Sequence, residues 1–232
     1  MEEQSKDARR WGAEPPRSPL TACTRYNNKT WQEYQDWKSQ NQQAYEQIYQ
    51  RPLKCIYGCP REMSHTKMPP HAKILVIEMN NDENQIKGIG VIQNQTASEV
   101  YRTPPHSITP PPVTSVPALP PSVPAPPPRI VFNRLFSDRN YTRYIYIGNE
   151  YYATKEELER NHTPDAQYIN EQLTTLIIQP EAPPPETTII QYLERLLFKG
   201  AKHMKRGSGI TLLNCSIAPH GKAAFRDSTT SR

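Results

Sequence analysis

The run from Lys73 to Asn94 constrains this chain most. Lys73-Ile-Leu-Val-Ile-Glu-Met79 and Gln85-Ile-Lys-Gly-Ile-Gly-Val-Ile-Gln-Asn94 are β-branched segments joined by an Asn- and Asp-rich turn, Asn80 to Asn84, which is the pattern of a β-hairpin. Alternation puts Gly88 and Gly90 on one face of the second strand. That bare face predicts a bulge, a close-packed neighbour or a close backbone approach by a ligand. Soon afterwards nearly half of the positions from Pro104 to Pro128 are proline, a composition that favours polyproline II and buries little surface. Strand patterns resume beyond it at Arg129 to Leu135 and Tyr141 to Ile147, and Gly148-Asn149 turns into a short strand at Glu150 to Ala153. The proline-rich segment, 97–128, therefore reads as a loop inserted into one domain spanning 53–216.

With 25 prolines and 35% hydrophobic residues in 232, and a mean hydropathy of -0.80, the chain has material for one modest domain with unpacked appendages. Residues 1–28 and 217–232 have the profile of disordered tails. Residues 29–52 read as an amphipathic aromatic helix. Thr30-x-x-Glu33 is a capping box, Trp31, Tyr34, Trp37, Tyr45 and Ile48 recur at helical spacing, and Pro52 ends it. Thr154-x-x-Glu157 and Thr163-Pro164 open two further helices, and Ile189, Ile190, Leu193, Leu196 and Leu197 stripe a third. The expected fold class is α+β, a small mixed β-sheet or partly open barrel with flanking helices.

The formal charge of +5 suits a polyanionic partner without requiring one. The first 19 residues lack an apolar leader, and no run reaches the length of a membrane span. An intracellular protein with no membrane partner is expected, not a secreted one. Four cysteines, Cys23, Cys55, Cys59 and Cys215, are too few and too unevenly placed for a disulfide scaffold and are read as thiols.

Five groups of residues invite chemical readings. Cys55-x-x-x-Cys59 with His65 and His71 offers zinc donor types, but without the wide separation of ligand pairs found in structural sites. The reading taken is a pair of buried thiols, with no metal or other cofactor assigned. Arg139, Tyr141, Arg143, Tyr144 and Tyr146, with Tyr151 and Tyr152 after the turn, interleave cations and aromatics along a strand, as base-stacking and phosphate-holding surfaces do, and Arg143, Tyr144 and Tyr146 are the residues chosen from it. Alternatively, one face of that strand is core and the other solvated. Lys199 to Gly209 gathers Lys202, Lys205 and Arg206 beside Gly207 and Gly209, where the glycines let backbone approach a phosphate. A helix C-terminus attracting cations is the structural account of the same residues. Pro124, Pro127 and Arg129 fit a Pro-x-x-Pro-x-Arg docking ligand. Glu78 and Asp82 can be posed as an acid/base pair, but the hairpin turn explains both without chemistry.

The Glu-Met-Asn-Asn run at Glu78 to Asn81, Ile86 to Asn94, Tyr141 to Gly148 and above all Phe198 to Ile210 resemble an uncharacterised protein family of large nucleocytoplasmic DNA viruses. This resemblance implies no established activity; it implies a viral chain acting in the host cytoplasm, the nucleus or the virion. The paired strands with Gly-Ile-Gly are also similar to PUA-like small β-barrel domains, whose relatives bind RNA or modified bases. Two functions of different class follow. One is a non-enzymatic nucleic-acid-binding module using the basic Gly-rich segment and the Tyr/Arg strand. The other is a viral structural or scaffolding protein that contacts other proteins through the proline-rich loop or the aromatic helix. A basic groove joining Arg143 to Lys205 separates the first from the second, for which an exposed Trp31/Trp37 patch is expected.

Overall fold

The hairpin forms where the sequence places it and becomes the middle of a larger sheet. The computed structural model describes residues 19–100, 132–177, 187–200 and 209–213. In chain order the elements are β1 (Leu20–Tyr26), α1 (Asn28–Tyr49), β2 (Cys55–Cys59), β3 (Lys73–Asn80), β4 (Gln85–Gln93) and α2 (Ala97–Val100). Two 3-10 turns follow, Phe132–Arg134 and Arg139–Thr142. Then come β5 (Tyr144–Gly148), β6 (Tyr152–Thr154), α3 (Lys155–Arg160), α4 (Pro164–Ile177), α5 (Ile189–Glu194) continued by a π-helical turn Arg195–Gly200, and β7 (Thr211–Leu212).

Five strands form a mixed sheet in the order β6-β4-β3-β1-β7, and β2 pairs with β5 in a second, two-stranded sheet. The architecture is α+β; the larger sheet is open, so of the two forms expected it is the mixed sheet and not a barrel. Strands from beyond the proline-rich segment pair with strands from before it, β5 with β2 and β6 with β4. Three sequence expectations are corrected. The segment ending at residue 28 is no tail throughout: β1 runs parallel to β3 from Leu20↔Ile74 to Tyr26↔Asn80, with Ala22 and Cys23 fully buried. The folded unit therefore begins near Leu20, not at 53, and includes α1. Leu-Thr-Ala-Cys-Thr-Arg-Tyr carries no alternation of its own, so pairing on both sides makes it a strand. Secondly, Phe132–Arg134 is a 3-10 turn where a strand was expected. Thirdly, the stripe after Ile189 buries Ile190, Leu193, Leu197 and Phe198, but its helix loosens into the π turn after Glu194.

The two faces of the large sheet follow the two-residue period. Cys23, Leu75, Ile77, Ile89 and Val91 pack against Leu158, Ala166, Ile169, Leu173 and Leu193 of α3, α4 and α5. On the opposite face Ala22, Ile74, Val76 and Ile92 meet Cys55, Tyr57 and Tyr146 of the two-stranded sheet. The outer side of that small sheet, Ile56 and Ile145, is covered by Tyr34, Trp37 and Tyr45 of α1. Four layers result: helices, large sheet, small sheet, helix. Helix α1 starts one turn earlier than the Thr30 to Glu33 box suggests. Asn27 is the N-cap, its Oδ1 accepting from Thr30 N at 2.8 Å while Thr30 Oγ1 accepts from Asn27 N at 3.0 Å.

Glycine lets the layers close up. A Cβ on Gly90 would lie 2.5 Å from Cys55 Sγ and overlap Tyr57 Oη, and one on Gly148 would overlap the same sulfur and the Val91 carbonyl oxygen. Two of the three readings of the Gly88/Gly90 face are met in the fold: close-packed neighbours at both glycines, and a bulge-type register shift at Glu78/Met79, opposite Gly88. Among the described residues no helix is long and apolar enough to cross a membrane.

Candidate functional site

The sequence-selected residues part company in the fold. Tyr146 is fully buried, its Oη accepting from Met63 N at 2.9 Å, so it offers no ring to a ligand. Tyr144 is half-buried beside the same core. The strand's tyrosines thus follow the core-face reading, because the small sheet turns that face onto the large one. Arg143 is exposed just ahead of β5. Pro124, Pro127, Arg129, Lys202, Lys205, Arg206 and Gly207 lie outside the described residues. Gly209 is described; it has φ +82°, a conformation glycine favours, and rests on Pro60 and Cys59.

Cys55 and Cys59 occupy the two ends of β2, both buried, whereas His65 and His71 are exposed. Among the described residues no three metal-donor side chains come together. Burial pushes the Cys55 and Cys59 thiols up to about 12 and that of Cys23 to about 11, which leaves them protonated and poorly nucleophilic. Trp37 is buried and Trp31 packs edge-on against Tyr26 at 5.3 Å between ring centroids. The aromatic stripe of α1 is spent inside the domain.

Glu78 and Asp82 are not a pair. Asp82 Oδ2 accepts from Asn28 N at 2.8 Å at the start of α1. Glu78 is fully buried on the glycine-bearing face, in register with Gly88. Tyr34 Oη donates to its Oε1 at 3.3 Å and Tyr152 Oη to its Oε2 at 3.1 Å. Tyr152 stands on the edge strand β6 and reaches Glu78 by lying across Gly88, where a Cβ would come within 2.7 Å of its hydroxyl. Lys38 caps this cluster, its Nζ 4.3 Å from the Tyr152 ring centroid while donating to Lys54 O at 2.7 Å. Burial pushes the Glu78 carboxyl up to about 7, against the pull of Lys38 and the tyrosine hydroxyls.

A different surface gathers exposed charge. The 3-10 turn Arg139–Thr142 is held by Asp138, whose Oδ1 accepts from Asn140 N at 2.9 Å, and by Thr142 Oγ1 donating to Arg139 O at 2.9 Å. It lies directly on β2, because a Cβ on Gly58 would overlap the Tyr141 carbonyl oxygen. On one side of the turn Arg61, Asn140, Tyr141 and Arg143 border an open concavity of ≈ 590 Å³. On the other, Arg25, Lys29, Phe136, Tyr141 and Gly209 border one of ≈ 360 Å³. Tyr141 and Asp138 belong to both. The two acids there are already engaged: Glu33 accepts from Ser137 Oγ at 2.7 Å and lies 3.8 Å from Lys29 Nζ, and Asp138 caps the turn. Arg61 and Arg143 make no ion pair with a described residue. The sequence pattern counts Tyr141 among the strand's interleaved aromatics; in the fold it lies on the turn instead, a place set by Gly58 and Asp138, not by its own neighbours.

No protein-family model matches the chain, and neither a curated protein nor a solved structure matches it significantly. The likenesses to the viral family and to the small barrels therefore gain no relative from which residue roles carry across.

Proposed function

We propose that the chain is a non-enzymatic nucleic-acid-binding module whose ligand runs along the joined concavities from Arg143 and Arg61, past Tyr141, to Arg25, Lys29 and Gly209. One observation carries this reading. The shared wall at Tyr141 connects Arg143 to Gly209, the residue at which the Lys202, Lys205 and Arg206 segment ends. Arg25, Lys29, Arg61 and Arg143 outnumber Glu33 and Asp138 along this path, and that excess leaves a net positive field for phosphates. The reading goes with an intracellular or virion setting, where such polymers are met.

The test is equilibrium binding of the full chain to a labelled oligonucleotide across a salt series. The double variant Arg61→Ala/Arg143→Ala should bind more weakly, with a log-log salt slope smaller by about 0.7 for each phosphate of a single strand that is no longer neutralised. Replacing Lys202, Lys205 and Arg206 together by alanine should flatten the slope further. Binding by the double variant with the parental affinity and slope would show that the groove is not the site.

A further inference from the structure

We infer that the groove takes a single-stranded nucleic acid and seats an unpaired base on Tyr141; this rests on the polyanion reading above. Tyr141 is the aromatic residue common to both concavities, so a strand following the cations from Arg61 to Arg25 passes this residue. The Tyr141 ring is placed by a braced turn. Phe136, itself buried, holds it in a T-shaped contact with ring centroids 6.4 Å apart and planes at 78°. Beneath it the Tyr141 carbonyl occupies the space that a side chain at position 58 would take.

An aromatic fixed before the ligand arrives loses little freedom on binding and stacks on any base. Concavities of ≈ 590 and ≈ 360 Å³ have room for a nucleotide-sized group and are open at the surface, as a continuous strand requires. A duplex keeps its base faces stacked inside and presents only phosphates to such a wall, unless unpairing is imposed at a cost of a few kcal/mol. The arrangement of cation, aromatic and cation therefore selects strands whose bases are free. Tyr141 takes the stacking role that the sequence offers to Tyr144 and Tyr146, which the fold turns inward.

The experiment compares three probes on the full chain: an oligothymidylate, a blunt duplex of equal length, and inorganic polyphosphate. Parent, Tyr141→Ala, Tyr141→Leu, Tyr141→Phe and Arg61→Ala/Arg143→Ala are measured, each with a thermal melt to establish folding. Loss of stacking should weaken oligothymidylate binding by Tyr141→Ala and Tyr141→Leu about 5- to 150-fold at an unchanged salt slope. Polyphosphate affinity should not move, Tyr141→Phe should bind as the parent does, and the duplex should bind more weakly than the single strand. If the arginine variant weakens all probes while Tyr141→Ala and Tyr141→Leu leave oligothymidylate binding intact, the stacking inference is wrong and the groove stands. If those tyrosine variants weaken polyphosphate equally, Tyr141 acts by placing the arginines and stacking is again overturned. Oligothymidylate binding that ignores the arginine variant removes the groove itself.

Discussion

Replacing Glu78 by glutamine should make the protein more stable at alkaline pH and erase most of its pH dependence between about 5 and 7.5. Glu78 is fully buried between Tyr34 and Tyr152, and its carboxyl is pushed from the ordinary 4.5 up to about 7. The folded state thus holds a proton that the unfolded chain releases. Stability attached to that proton is fully present below about 4.5, falls as pH rises, and is gone above about 7. At about 1.4 kcal/mol per tenfold change in proton affinity, the loss amounts to about 3 kcal/mol, equivalent for a chain of this size to roughly 6–12 °C in Tm. The other titratable groups facing Glu78 are Lys38, Tyr26, Tyr34, Tyr57, Tyr152 and Cys55. The tyrosines and the thiol are pushed upward by burial and stay neutral through this window. Glutamine keeps an acceptor for one tyrosine hydroxyl and offers an amide donor to the other, so the cluster stays bonded. Urea unfolding of parent and Glu78→Gln at half-unit steps from pH 5 to 8.5 measures the difference. A variant whose stability falls with pH as steeply as the parent's would refute the assignment, as would one less stable than the parent at pH 8.

Gly58→Ala should lower stability by about 1–3 kcal/mol, since the added methyl meets a backbone oxygen that can move only with its turn; oligonucleotide affinity should fall with it, read by denaturant titration and anisotropy. Gly90→Ala should cost about 1–3 kcal/mol by forcing Tyr57 and Cys55 away from β4, while leaving the salt slope of binding unchanged. Asn27→Ala removes the reciprocal cap of α1 and should cost about 1 kcal/mol in a thermal melt. Site-resolved alkylation at pH 8 should find Cys23, Cys55 and Cys59 protected in the folded chain and modified after unfolding; rapid native labelling of Cys55 would contradict its place between the two sheets.

Local signals carried the parts of the fold that are locally determined. The β3–β4 hairpin, the Thr154 capping box and the Thr163 cap at α4 are each written within a few residues. Strand β1 and the layer arrangement are not, because Leu20 to Tyr26 becomes a strand only through β3 and β7, far away in the chain. The Gly88/Gly90 face was legible as a close approach, but not what approaches: Tyr152, Tyr57 and Cys55 come from strands with no sequence proximity. Arg143 was found for its charge, whereas its partner surface was missed. Arg61 and Arg25 look like any surface cations until Gly58 brings the Asp138 turn down between them.

The position of the proline-rich segment between β4 and β5 also has a consequence during synthesis. Strands β1, β3 and β4 have left the ribosome before any residue of β5 or β6 exists, and about 5–20 residues emerge each second. For several seconds, therefore, the face bearing Ile74, Val76, Glu78 and Ile92 lacks half of its cover. Pairing of β2 and the arrival of Tyr152 over Gly88 must wait for the later strands. The nascent sheet is left in that interval with an apolar, glycine-gapped surface that invites a chaperone or a neighbouring chain.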